Sequence, residues 1–86
     1  MSWVVYLLRC GDDSLYTGCT NQLAQRILKH QHGKGARYTR SHLPVMLAYH
    51  ENVADQSAAL KREAAIKRLS RAEKISLIQT HSTFTE

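Results

Sequence analysis

Residues 3–10 read Trp-Val-Val-Tyr-Leu-Leu-Arg-Cys, a run of β-branched, aromatic and aliphatic side chains without polar alternation. Such a run is read as a strand, Trp3–Cys10, and because it is apolar on both faces, other structure must cover each face. Gly11-Asp12-Asp13 is a turn signal, and Ser14–Thr20 (SLYTGCT) is the returning arm of a hairpin. An odd-length connection puts Tyr6 opposite Gly18 and diagonal to Tyr16 on the same face, within aromatic reach.

Asn21 is a suitable N-cap for a helix over Gln22–Gln31. His32–Leu43 carries two glycines, three Lys/Arg and a tyrosine, which is too long and polar for a plain connector and reads as a functional loop. Val45–Val53 follows Pro44 as a third strand, and Asp55 can cap a second helix over Gln56–Leu69. Ser70-Arg71-Ala72-Glu73 has the spacing of a capping box and opens a third helix through about Ile78. The tail from Thr80 to Glu86 has no period and is expected to fray. The expectation is a single domain over residues 1–79 and a flexible tail over 80–86. Its order is ββαβαα, a three-stranded antiparallel sheet flanked by helices in the α+β class.

A chain of 86 residues has room for one modest core. Twelve Lys and Arg against seven Asp and Glu give a formal charge of +5, which favours an anionic partner, nucleic acid first. Cys10 and Cys19 fall on neighbouring strands out of register with each other, so no disulfide is expected. Free thiols and the lack of a targeting segment point to a reducing, cytoplasmic compartment. The histidines and cysteines lack structural-zinc spacing.

On the first helix, Leu23, Ile27 and His30 share a stripe that Arg26 borders, and Arg26 and His30 project together four residues apart. Taken singly, Arg26 reads equally well as a rim arginine with its stem on the apolar face. On the second helix the stripe is Ala59, Leu60, Glu63, Ile66 and Lys67. A carboxylate in its middle is costly to bury unless paired, as with Lys67 at i+4, or bound to a cation. Tyr6 and Tyr16 alone would pass for ordinary strand tyrosines.

As a set these residues say more. Val4-Val5-Tyr6, then Tyr16-Thr17-Gly18, then Arg26, His30 and Glu63 resemble the GIY-YIG nuclease domain in type, order and spacing, from Trp3 to about Ile78. The similarity is greatest to the small stand-alone bacterial members (the YhbQ-like group) and extends to the nuclease subunit of the Slx structure-specific endonucleases. Supporting stretches are Gly33–Arg40 (GKGARYTR) and Ala58–Lys67 (AALKREAAIK). The triplets depart from the pattern in that Val5 and Thr17 stand where the namesake motifs carry isoleucine.

The resemblance implies a metal-dependent endonuclease acting on DNA, possible links being repair or recombination. Glu63 would be the one protein ligand of a single Mg²⁺ or Mn²⁺ ion. Arg26 would clamp the phosphate. Tyr16 would help deprotonate the attacking water, with Tyr6 bonded to that water or to Tyr16, and His30 could share the proton relay. A phenol with a pKa near 10 is a poor base at neutral pH and needs a local positive field.

In the loop, Lys34, Arg37 and Arg40 are candidate phosphate contacts, and Tyr38 could stack on an exposed base. A second basic group, Lys61, Arg62, Lys67, Arg68, Arg71 and Lys74, reads either as further binding surface or as a solvated helix face. Many members attach a separate DNA-binding domain, for which this length leaves no room. Two rivals therefore stay open: a binding module without turnover, and a nuclease subunit directed by a partner protein.

Overall fold

In the computed structural model, residues 2–82 are described, with side chains placed for residues 2–80. Strand β1 (Trp3–Arg9) lies between β2 (Leu15–Thr20) and β3 (Met46–Val53) in one antiparallel sheet of order β2-β1-β3. Its central position explains its composition. Val5 and Leu7 face one way and pack with Tyr49, Ala59 and Ile66, while Tyr6 and Leu8 face the other and pack with Cys10 and Val45. Trp3, Leu69, Leu77 and Ile78 extend the first cluster, and Tyr16, Leu23 and Ile27 border the second.

The sheet therefore has two covered faces, as the unalternating run demands. Helices α3 (Gln56–Lys67) and α4 (Arg71–Ser82) supply one layer. Helix α1 (Leu23–Gln31) supplies the other, with the short α2 (Arg37–Arg40) beside it. The α+β class and the three-stranded antiparallel sheet are as expected.

The hairpin has the expected register. Tyr6 pairs with Gly18 and Leu8 with Tyr16, so both phenols lie on one face of the sheet. Asp13 turns the chain at φ 68°, in the left-handed region where short polar residues are tolerated. Strand β3 slips by one residue against β1 between Leu7 and Leu8, a bulge that leaves Met46 and Leu47 exposed on the far edge.

Several local expectations are corrected. The segment between α1 and β3 contains α2, so the order is ββααβαα. Four residues cannot nucleate a helix alone, and this one is held through buried Thr39. Asn21 is not the N-cap: Gln22 holds that position without a side-chain cap, and its N–H instead donates to Thr20 Oγ1 at 3.0 Å. Leu60 lies off the buried stripe at 53% exposure, which leaves Ala59 and Ile66 as the apolar contacts of α3. Helix α3 ends at Lys67 rather than Leu69.

The other caps form as the sequence implies. Asp55 accepts the Ala58 N–H at 2.9 Å, and Ser70 and Glu73 bond reciprocally at 2.8 and 3.2 Å. Helix α4 runs past Ile78 to Ser82, so the first part of the expected tail is helical, whereas residues 83–86 lie outside the described residues. Both cysteines are free. Among the described residues no helix is long and apolar enough to cross a membrane.

Candidate active site

A cavity of about 180 Å³ opens along β2, where side chains from both faces of the sheet meet at its edge. From one face come Tyr6 of β1 with Tyr16 and Gly18 of β2, joined by Arg26 and His30 of α1. Around the edge come Cys19 of β2 and Glu63 of α3. The backbone at Gly35 and Ala36, just before α2, closes the side next to His30. Tyr6, Tyr16, Arg26, His30 and Glu63, read from the sequence as one set, thus line one space.

Two glycines make that space. A Cβ on Gly18 would lie 2.5 Å from the Tyr6 hydroxyl, so the phenol tip occupies the room that a side chain would fill. A Cβ on Gly35 would come within 2.8 Å of His30 Cγ. The loop backbone can therefore press against the imidazole only as glycine.

His30 is buried at 1% exposure and has partners on both ring nitrogens. Its Nε2 shares a hydrogen bond with Tyr6 Oη at 2.9 Å, and its Nδ1 shares one with Thr39 Oγ1 at 2.8 Å. Burial lowers the His30 pKa below its ordinary value, and the nearby Arg26 charge adds to this. Burial pushes the Tyr6 phenol well above 10, with Tyr16 adding to the rise and Arg26 opposing it. Tyr16 is raised for the same leading reason, against the opposing charge of Lys67. Both phenols are therefore neutral at pH 7, and the imidazole is neutral as well.

Glu63 is held from two directions. The Cys19 thiol donates to Oε1 at 3.1 Å, and Lys67 Nζ lies 3.0 Å from Oε2. Burial first, then the hydrogen bond and charge of Glu63, push the Cys19 thiol up to about 11. The Lys67 ammonium's own bond to Glu63 raises the Lys67 pKa. No group of three or more His, Cys, Asp or Glu converges among the described residues. One carboxylate in an open polar cavity fits a hard divalent cation that keeps most of its waters, and not an ion caged by protein. Such an ion would displace Lys67 from Oε2.

The binding candidates lie outside this cavity. Lys34, Arg37 and Arg40 are exposed and flank Gly35 and Ala36 in sequence. Tyr38 is not a free platform: its hydroxyl donates to Ser14 Oγ at 2.5 Å, and its ring stacks on His42 with centroids 4.1 Å apart. Its ring also lies nearly parallel to Tyr16, at 6.1 Å and 15°. The second basic group is divided. Arg62 forms a two-point pair with Glu51 at 2.8 and 3.1 Å, Lys67 pairs with Glu63, and Arg71 reaches Asp13 at 3.0 Å.

Sequence reasoning missed Cys19 and Thr39 as parts of this site. Cys19 was legible only as a free thiol. Thr39 gave a weak signal, a small hydroxyl residue inside a basic loop.

The residues 2–76 match the GIY-YIG catalytic domain, and the chain belongs to the GIY-YIG family, a family of nucleases. Its relatives are small bacterial proteins. A UPF0213 protein of Desulfotalea psychrophila is 52% identical over 79 residues, covering 91% of this chain and 72% of that one. A UPF0213 protein of Staphylococcus epidermidis is 47% identical over 75 residues, covering 87% and 92%. The solution structure of a UPF0213 protein from Bacillus halodurans superposes with a TM-score of 0.60 at 40% identity, covering 93% and 85%. The solution structure of the protein EF2693 from E. faecalis superposes with a TM-score of 0.65 at 36% identity, covering 96% and 88%.

Proposed function

We propose that this protein is a metal-dependent endonuclease that hydrolyses phosphodiester bonds of DNA in a reducing, cytoplasmic setting. The observation that carries this reading is the convergence of Tyr6, Tyr16, Arg26, His30 and Glu63 on one cavity. Glu63 would hold one Mg²⁺ or Mn²⁺, which when bound supplies positive charge to polarise the phosphodiester and stabilise the leaving 3′ oxygen.

This chain's own groups do the rest. Arg26, exposed at the cavity rim, clamps the scissile phosphate and offsets charge that grows in the transition state. Tyr16 and Tyr6 orient the attacking water through their oxygens. Because burial raises both phenols, neither is a ready base at pH 7, whereas His30 is already unprotonated and bonded to Tyr6. His30 therefore receives the proton that the tyrosines relay. Lys34, Arg37 and Arg40 hold the flanking backbone.

Purified protein is incubated with plasmid, flapped and branched DNA, the last two being forms met in repair and recombination, in Mg²⁺ or Mn²⁺. Wild type is expected to cut, Arg26→Ala to lose about 10²-fold or more, and Glu63→Gln to be inert. Wild type that never exceeds Glu63→Gln sinks the proposal.

One observation favours a second reading, a binding module without turnover: Glu63 already has a cationic partner in Lys67. That reading expects salt-sensitive DNA binding, unaltered in Tyr16→Phe, with no metal-dependent cleavage. A nuclease that needs a protein partner would instead cut only after cell extract is added.

A further inference from the structure

The hydrogen bonds around His30 run in one direction. Thr39 Oγ1 lies 3.0 Å from the Ala36 carbonyl oxygen, which can only accept. Two oxygens at that distance repel unless a proton lies between them, so the single Thr39 hydroxyl proton points at Ala36. Thr39 then has only lone pairs to offer His30 Nδ1 at 2.8 Å, and Nδ1 must be the protonated nitrogen. In a neutral ring this leaves Nε2 bare, so Nε2 accepts the Tyr6 hydroxyl at 2.9 Å. The Tyr6 proton is thereby committed inward, and the Tyr6 oxygen faces the cavity as an acceptor alone. Thr39 is fully buried and His30 nearly so, and the Gly35 backbone pins the ring on its Nδ1 side. Water does not compete for these bonds.

We propose that Thr39 is a positioning residue that holds His30 in the Nδ1–H tautomer, which makes Tyr6 a proton conduit between the cavity and His30 Nε2. In its catalytic consequence this rests on the nuclease reading above. As the water oxygen bonds to phosphorus, its proton passes to the Tyr6 oxygen while the Tyr6 proton moves to Nε2. The P–O3′ bond breaks, and the 3′ oxygen takes a proton from solvent. The imidazolium that forms keeps Nδ1–H on Thr39, so no group has to reorient, and it returns the extra proton through Tyr6 to solvent. The other tautomer would point Nε2–H at Tyr6 and close this path.

The test is the nitrogen-15 spectrum of the histidine side chains in the full chain, recorded for wild type, Thr39→Val and Thr39→Ser, beside cleavage kinetics. Wild type and Thr39→Ser are expected to show His30 protonated on Nδ1, and Thr39→Val to shift to Nε2–H. In kinetics, Thr39→Val is expected to lower kcat about 10- to 100-fold, as when an outer partner of a functional ring is lost, with KM unchanged and Thr39→Ser near wild type. An Nε2–H ring in the wild type overturns the proposal, and that measurement needs no variant to fold. A Thr39→Val protein with unchanged tautomer, or with unchanged kcat, overturns it too. Because the spectrum needs no turnover, an inert wild type with the Nδ1–H ring fails the nuclease reading while supporting the positioning role.

Discussion

The Cys19 thiol donates a hydrogen bond to Glu63 Oε1 at 3.1 Å, which joins the edge strand to α3 across 44 positions of sequence. The same carboxylate pairs with Lys67 one turn further along its own helix. Glu63 is thus oriented by β2 and paired with a cation of α3, and a metal ion arriving from the cavity would compete with Lys67 for Oε2.

Removing that competitor should favour the metal. An i,i+4 pair of this exposure is worth roughly 0.3–0.5 kcal/mol, so Lys67→Gln is expected to lower the Mn²⁺ concentration for half-maximal cleavage about twofold. A metal titration of the cleavage rate reads this directly. An unchanged or raised midpoint would mean that Lys67 does not occupy the metal position.

Gly18→Ala places a methyl group against the Tyr6 hydroxyl, and buried Tyr6 has little room to withdraw. Overpacking of this kind costs about 1–3 kcal/mol. Thermal denaturation should show a Tm lowered by several degrees, together with loss of the Tyr6–His30 bond in the side-chain nitrogen spectrum. A Tm equal to wild type would place Tyr6 elsewhere.

The His30 pKa is lower in the folded chain than in the unfolded one, so the unfolded state binds the proton first as pH falls. Its contribution to stability is complete above about pH 6.5 and is lost as pH falls through that value towards the folded pKa. Denaturation curves from pH 7.5 to 5 should therefore show stability falling with acid, and His30→Gln should flatten part of that slope. Cleavage should hold through pH 6.5 and decline only as pH falls through the lowered folded-state pKa, because a protonated His30 cannot accept from Tyr6. A His30→Gln profile parallel to wild type counts against this.

Basic residues that look alike in sequence should separate by assay. Arg62→Ala removes the two-point pair with Glu51, which also accepts the Tyr49 hydroxyl, and should lower stability by about 1 kcal/mol or less at this exposure. DNA affinity should hardly change. Arg37→Ala should leave stability intact and reduce the salt slope of DNA binding by about 1. Fluorescence anisotropy across a salt series, beside urea unfolding, distinguishes the two; equal salt slopes for the two variants would refute the assignment.

What the sequence determined by itself is what neighbouring residues encode. The apolar run of β1 demanded cover on both faces, the Ser70–Glu73 spacing built its capping box, and the hairpin put Tyr6 and Tyr16 on one face. Each signal lies within a few residues of its effect, where backbone geometry and side-chain period act directly. Tertiary structure alone decided that Arg26 and Glu63, from layers on opposite faces, meet around the β2 edge. It also decided that Arg37–Arg40 coil into a helix, that Thr39 reaches His30, and that Cys19 joins the Glu63–Lys67 pair that the i,i+4 spacing implies. A four-residue helix has no stability of its own, and a thiol finds a distant carboxylate only after two layers pack. The paired tyrosines were visible from the start, but the direction in which they can pass a proton depends on a buried threonine that no local pattern singles out.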